Sequence, residues 1–99
     1  LLEALVACAG VTLKAVATAL GVDLANARVF AEGDLDFRGT LGVERSAPVG
    51  FSDIRLRFEV ESAATPEQLE RLLSLTERYC VVYQTLRSAP QVTAELKRI

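Results

Sequence analysis

Phe51-Ser52-Asp53-Ile54-Arg55-Leu56-Arg57-Phe58-Glu59-Val60, followed after a short link by Thr65-Pro66-Glu67-Gln68, is the stretch that decides the class of fold. Ile54, Leu56, Phe58 and Val60 alternate with Asp53, Arg55, Arg57 and Glu59. An extended chain puts the first set on a dry face and the second on a charged one, which is the pattern of a half-buried strand. The period then changes. Thr65 is an N-cap residue, Pro66 suits the first helical position, and Gln68 stands where it can return a hydrogen bond to the cap, so a helix begins at Pro66. Its apolar stripe is Leu69, Leu72, Leu73, Thr76 and Cys80, opposite Glu67, Glu70, Arg71, Ser74, Glu77 and Arg78.

Upstream, Leu1 to Leu20 reads as a second helix. Leu1, Leu2, Leu5, Ala9, Leu13, Val16 and Leu20 form one stripe on a 3.6-residue wheel, with Glu3 and Lys14 opposite and Gly21 as the stop. Ala27 to Phe37 reads as a strand in which Gly33 marks a bulge or a close approach. Arg38 to Phe51 carries Gly39, Gly42, Pro48 and Gly50, the densest punctuation in the chain, and is expected to be a long excursion between two strands. Downstream, a turn containing Pro90 leads to Val92, Ala94 and Leu96 alternating with Thr93, Glu95 and Lys97, which predicts a last strand. The order helix, strand, strand, helix, strand is α+β. Three strands make a thin sheet, and upstream strands or strands lent by another subunit would complete it. The opening Leu1-Leu2-Glu3-Ala4-Leu5-Val6 reads as the inside of a helix, and the sequence has no Met, so upstream residues are expected.

Composition removes several classes. With 51% apolar and 24% charged residues the balance is that of a folded domain, and 99 residues allow one domain at most. A net charge of −2 without a basic cluster lacks the footprint that phosphate backbones require, so no nucleic-acid partner is expected. Glu3 and Lys14 interrupt the N-terminal apolar stretch and no charged leader precedes it, so neither a membrane span nor an export signal is read, and a cytoplasmic chain is expected. There is no His, which removes imidazole-activated nucleophiles; with two Cys alone, no metal site is expected.

The chemistry narrows to Cys8 and Cys80, in different helices and each on or beside an apolar stripe. If both helices pack on one sheet, the two thiols can meet. A thiolate that attacks a peroxide becomes a sulfenic acid, and a second thiol condenses with it to a disulfide. The alternative is that both are small core residues, since free Cys is among the most buried residue types. A structural disulfide is disfavoured in a cytoplasmic chain.

Leu1-Leu2-Glu3-Ala4-Leu5-Val6-Ala7-Cys8-Ala9-Gly10-Val11-Thr12 resembles the helix of the osmotically inducible protein C and organic hydroperoxide resistance (OsmC/Ohr) family that carries its peroxidatic cysteine. Glu77-Arg78-Tyr79-Cys80-Val81-Val82-Tyr83-Gln84-Thr85-Leu86 resembles the family's second motif, in which a cysteine ends an amphipathic helix. Gly33-Asp34-Leu35-Asp36 and Phe51 to Val60 are similar to its two central strands, so the likeness runs through nearly the whole chain in order. It implies an OsmC-like α+β fold, an antiparallel sheet packed with two helices that each carry one Cys, with residues 1–99 forming the C-terminal two-thirds of the domain. It further implies reduction of organic hydroperoxides by a peroxidatic Cys8 and a resolving Cys80, a small-molecule hydroperoxide substrate, a dithiol reductant, no cofactor and an intertwined homodimer. An OsmC-fold dimer without peroxidase activity, its cysteines structural or redox-sensing, is the alternative within the family. Two departures stand out. The family's activating arginine and glutamate lie before this helix, and Val81 replaces its usual proline.

Arg38, Arg45, Arg78 and Arg87 are candidate cations for Cys8 but read more readily as solvated surface. Tyr79 and Tyr83 flank Cys80 and either line a substrate channel or pack, and the apolar lining is expected around Leu1, Leu5 and Tyr83. Asp34 and Asp36 alternate on one strand face as a wet surface pair, and Arg55 and Arg57 beside Glu59 suggest cross-strand charge pairs.

Overall fold

A computed structural model describes residues 1–99. The elements, in chain order, are α1 (Leu2–Leu20), β1 (Asn26–Leu35), the one-turn α2 (Phe37–Thr40), β2 (Phe51–Glu61), α3 (Pro66–Tyr79) and α4 (Val81–Arg87). The class is α+β, as expected, with a two-stranded antiparallel sheet and four helices.

Helix α1 ends because Gly21 adopts φ 69°, a left-handed conformation that costs glycine little. The Val22 N–H then reaches the Ala17 carbonyl at 2.9 Å and the Gly21 N–H the Thr18 carbonyl at 3.2 Å, a Schellman closure that folds Val22 back onto the helix. Helix α3 starts as its sequence dictates. The Thr65 hydroxyl accepts from the Gln68 N–H at 3.2 Å, and the Gln68 side chain accepts from the Thr65 N–H at 2.9 Å.

Strands β1 and β2 pair Val29 with Phe58, Ala31 with Leu56 and Gly33 with Ile54 on the face turned toward the helices. Phe30–Arg57, Glu32–Arg55 and Asp34–Asp53 lie on the other face. The register slips after Asp34, where Leu35 pairs with Phe51, so the Gly33 region holds both a bulge and a close approach: a Cβ on Gly33 would lie 2.7 Å from the Phe51 ring.

Helix α1 packs against β1, α3 and α4, and the core follows its stripe. Leu5, Ala9, Leu13 and Ala17 are buried, with Leu13, Ala17, Val22 and Leu72 forming one cluster under Phe58 and Val60. Its length and mean hydropathy of 1.6 are also those of a membrane-crossing helix; here it is the helix on which the others pack. Only 8 of 99 residues are buried, and the radius of gyration of 17.5 Å exceeds the roughly 13 Å of a compact domain of this length.

Two expectations need correction. Strand β1 stops at Leu35 rather than Phe37 because Asp36 caps α2, its carboxylate accepting from the Arg38 N–H at 3.0 Å. Val92 to Leu96 forms no strand, so the sheet has two strands and not three. That segment has no neighbouring ladder to satisfy its amides, and Val92 and Leu96 stand in solvent. Directly after Cys80 the chain enters a further helix, α4, to which the sequence pattern assigns no element.

Candidate functional site

The two thiols meet where α1, α3 and α4 converge. Cys8 lies on α1 one residue from the buried Ala9 and is half-buried. Cys80 is 1% exposed and sits between α3 and α4 with φ −76° and ψ 112°, a one-residue break that ends one helix and begins the next. Each expected helix therefore brings its cysteine, although Cys80 occupies the break and not a helical turn. Both are free thiols, and the Cys80 Sγ donates to the Cys8 Sγ at 3.3 Å across 72 residues of sequence.

The two sulfurs differ in charge preference. Cys8 is held below the ordinary thiol pKa, chiefly by the backbone N–H of Val82, with further hydrogen bonds from the Cys80 thiol, the Val81 N–H and the Thr12 side chain. Desolvation opposes this without prevailing. Cys80 is pushed up, first by burial and then by the neighbouring Cys8 sulfur, against a hydrogen bond from the Tyr83 N–H. The arrangement favours a thiolate at the more accessible sulfur and a protonated thiol at the buried one, which is the division of labour that nucleophilic attack followed by condensation requires. The cause is backbone amide and not a neighbouring cation. Those donors were not among the candidates read from the sequence, because an amide carries no residue signature.

A cavity of about 460 Å³ is lined by neither cysteine but reaches residues three positions from each, Leu5 on the α1 side and Tyr83 on the α4 side. Leu5 and Tyr83 line it as expected, together with Leu86 and the dry face of β2 at Ile54, Leu56 and Phe58. Leu1 does not; it is 61% exposed at the start of α1. Arg87 is at the rim, its guanidinium 3.4 Å from the Tyr83 hydroxyl.

The remaining candidates fall elsewhere. Arg38 grips Asp36 at 2.8 Å, Arg78 stacks over the exposed Tyr79 ring, and Arg45 lies exposed on the excursion. None of these three contributes to the Cys8 sulfur. Asp34 and Asp36 do not share a strand face: Asp34 bonds Arg55 on the charged side of the sheet, while Asp36 is the α2 cap. Arg55 makes the cross-strand pairs, reaching Glu32 at 3.2 Å and Asp34 at 3.0 Å, whereas Arg57 pairs with Glu59 on its own strand and covers Phe30. No three metal-ligating side chains converge.

Comparison with known proteins bears on the family and the fold. A family model described as OsmC-like protein matches residues 1–95. The fold is similar to the crystal structure of an OsmC-like protein from Mycoplasma pneumoniae, with a TM-score of 0.77 at 20% identity, covering 89% of this chain and 59% of that one. It is also similar to an OsmC-like hydroperoxide resistance protein from Jannaschia sp. CCS1, with a TM-score of 0.75 at 18% identity, covering 96% of this chain and 61% of that one. The chain thus spans about three fifths of the length of each of these structures. A search of curated proteins returned no match.

Proposed function

Because the chain belongs to the OsmC-like protein family, we propose that it serves in peroxide defence by reducing organic hydroperoxides, with Cys8 as the attacking thiolate and Cys80 as the resolving thiol. The observation that carries this reading is the 3.3 Å approach of the two sulfurs, with the lowered pKa on the accessible one and the raised pKa on the buried one.

In the first step the Cys8 thiolate attacks the terminal peroxide oxygen. The O–O bond breaks, the alkoxide takes a proton and leaves as the alcohol, and Cys8 becomes a sulfenic acid. The Val81 and Val82 amides, which favour negative charge at this sulfur, raise the share of thiolate available for attack. In the second step the Cys80 sulfur attacks the Cys8 sulfur, an S–S bond forms, and the hydroxyl leaves as water with the Cys80 proton. Because Cys80 is buried and already in contact with Cys8, condensation needs no second domain and competes well with over-oxidation. A dithiol reductant then restores both thiols by exchange, itself becoming a disulfide. The apolar lining at Leu5, Leu86 and β2 suits the hydrocarbon part of an organic hydroperoxide. The site works without a bound cofactor in this scheme, in the cytoplasm.

The assembly proposed is a homodimer. Support comes from the small core and from apolar side chains left uncovered, among them Val11, Phe37, Leu41, Val43 and Val49, each more than 60% exposed.

The test is the rate of thiol loss with cumene hydroperoxide in the wild type and in Cys8→Ser and Cys80→Ser, followed by mass spectrometry. Cys8→Ser should abolish the reaction, and Cys80→Ser should give one rapid turnover that stops at the sulfenic acid. A wild type that reacts no faster than free cysteine at the same pH refutes the peroxidase reading.

A further inference from the structure

A one-residue break between two helices strands the last carbonyls of the first and the first amides of the second. At Cys80 one of these stranded carbonyls finds a partner outside the usual ladder. The Val81 and Val82 amides of α4 favour the charged form of the Cys8 thiol. The Glu77 carbonyl of α3 is taken by a side chain seven residues on: Gln84 Nε2 donates to it at 2.7 Å. The Cys80 N–H still reaches the Thr76 carbonyl at 3.0 Å, and the Gln84 N–H reaches the Cys80 carbonyl at 3.0 Å, so each helix is regular up to the break.

Two short rods joined at one residue keep a fixed angle only if something ties their bodies together. Both rods pack on α1, and the Gln84 carboxamide adds a direct tie between them, from α4 to the last turn of α3. The angle matters because the joint places the Cys80 thiol 3.3 Å from the Cys8 sulfur and carries the two amides that favour its charged form. We infer that Gln84 is a positioning residue for the thiol pair, its carboxamide pinning α4 to the end of α3 so that Cys80 and the Val81 and Val82 amides stay aimed at Cys8. The inference rests on the redox reading of that pair and identifies what holds its geometry. Gln84 does not touch either sulfur, and it is exposed, so its replacement removes the tie without opening the core.

The experiment compares Gln84→Met, which keeps the side-chain length and loses the N–H, with Gln84→Lys, which keeps a donor. Two rates are read on the full chain. The first is alkylation of Cys8 by iodoacetamide against pH, in a Cys80→Ser background so that a single thiol reports. The second is disulfide closure after one equivalent of cumene hydroperoxide, with Cys80 present. Gln84→Met should shift the Cys8 alkylation profile toward that of a free thiol. It should also slow closure roughly tenfold, since misplacing reacting groups by 1 Å costs up to about 10² in rate. Gln84→Lys should restore both, and helix content by circular dichroism should be unchanged in each. A Gln84→Met protein with the wild-type profile and closure rate overturns the assignment, as does a lysine variant that rescues neither. Alkylation involves no peroxide, so a wild type inert to cumene hydroperoxide sinks the peroxidase reading while the effect of Gln84 on Cys8 is still read.

Discussion

Joining Cys8 to Cys80 should stabilise the native fold by about 4 kcal/mol, and the structure sets both the size and the conditions of that effect. The sulfurs stand 3.3 Å apart, so closing to a bond of about 2.05 Å asks for a movement of roughly 1.3 Å, within reach of a side-chain adjustment of the half-buried Cys8. The bridge would close a loop across 72 residues. On the chain-entropy relation such a loop removes on the order of 15 cal/mol/K from the unfolded ensemble, or about 4.4 kcal/mol at 25 °C. For a domain with eight buried residues this is a large fraction of a typical total of about 5–15 kcal/mol. The assay is urea unfolding of the reduced and the oxidised chain at one protein concentration. With a slope of about 1.5 kcal/mol/M, the midpoint should rise by roughly 2–3 M on oxidation. Cys80→Ser treated with the same oxidant should show no rise. If the oxidised wild type unfolds at or below the reduced midpoint, the sulfurs cannot close without prising α1 from the α3–α4 joint, and the placement of Cys80 described above is wrong.

Val81→Pro removes one of the amides that face Cys8 while suiting the first position of α4, so the fold should persist and the Cys8 pKa should rise toward its ordinary value, read as slower iodoacetamide alkylation at neutral pH. In the wild type, alkylation of Cys8 should climb as pH rises through its lowered pKa, while Cys80 stays unreactive until pH exceeds the ordinary thiol range, a separation that peptide mapping after brief labelling will show. Gly33→Ala drives a methyl group into the Phe51 ring and the Asp53 carbonyl, which should cost about 1–3 kcal/mol in urea unfolding, with Phe51→Leu in the same chain recovering part of it.

The parts of this fold that were legible in the sequence are those whose signal is local. Thr65, Pro66 and Gln68 predict the start of α3 because the capping box is built from residues three apart, and the structure closes it. The alternation from Asp53 to Val60 predicts β2 because one face is dry and the other charged. Helix α4 was not legible. Val81 and Val82 are β-branched and come directly after a break, so intrinsic preference argues against a helix there, and the segment is held by its packing on α1. Val92 to Leu96 errs in the opposite direction, since alternation promises a strand only where a neighbouring ladder is waiting. The candidate site divides in the same way. The side on which Cys80 points could be read from the stripe of α3, but the meeting of the two sulfurs depends on how three helices converge, and the amides that lower the Cys8 pKa belong to whichever residues happen to start α4.

The sheet has only two strands, so each of β1 and β2 spends half of its backbone groups on the other and turns the rest outward. Amide protons along both strands therefore fall into two alternating populations, one locked in the ladder and one free to exchange with solvent. Any strand added alongside, from a second copy or from further sequence, would slow the outward set of one strand and leave the other's unchanged. The pattern of exchange down β1 and β2 is thus a built-in gauge of which side of the sheet a neighbour has joined.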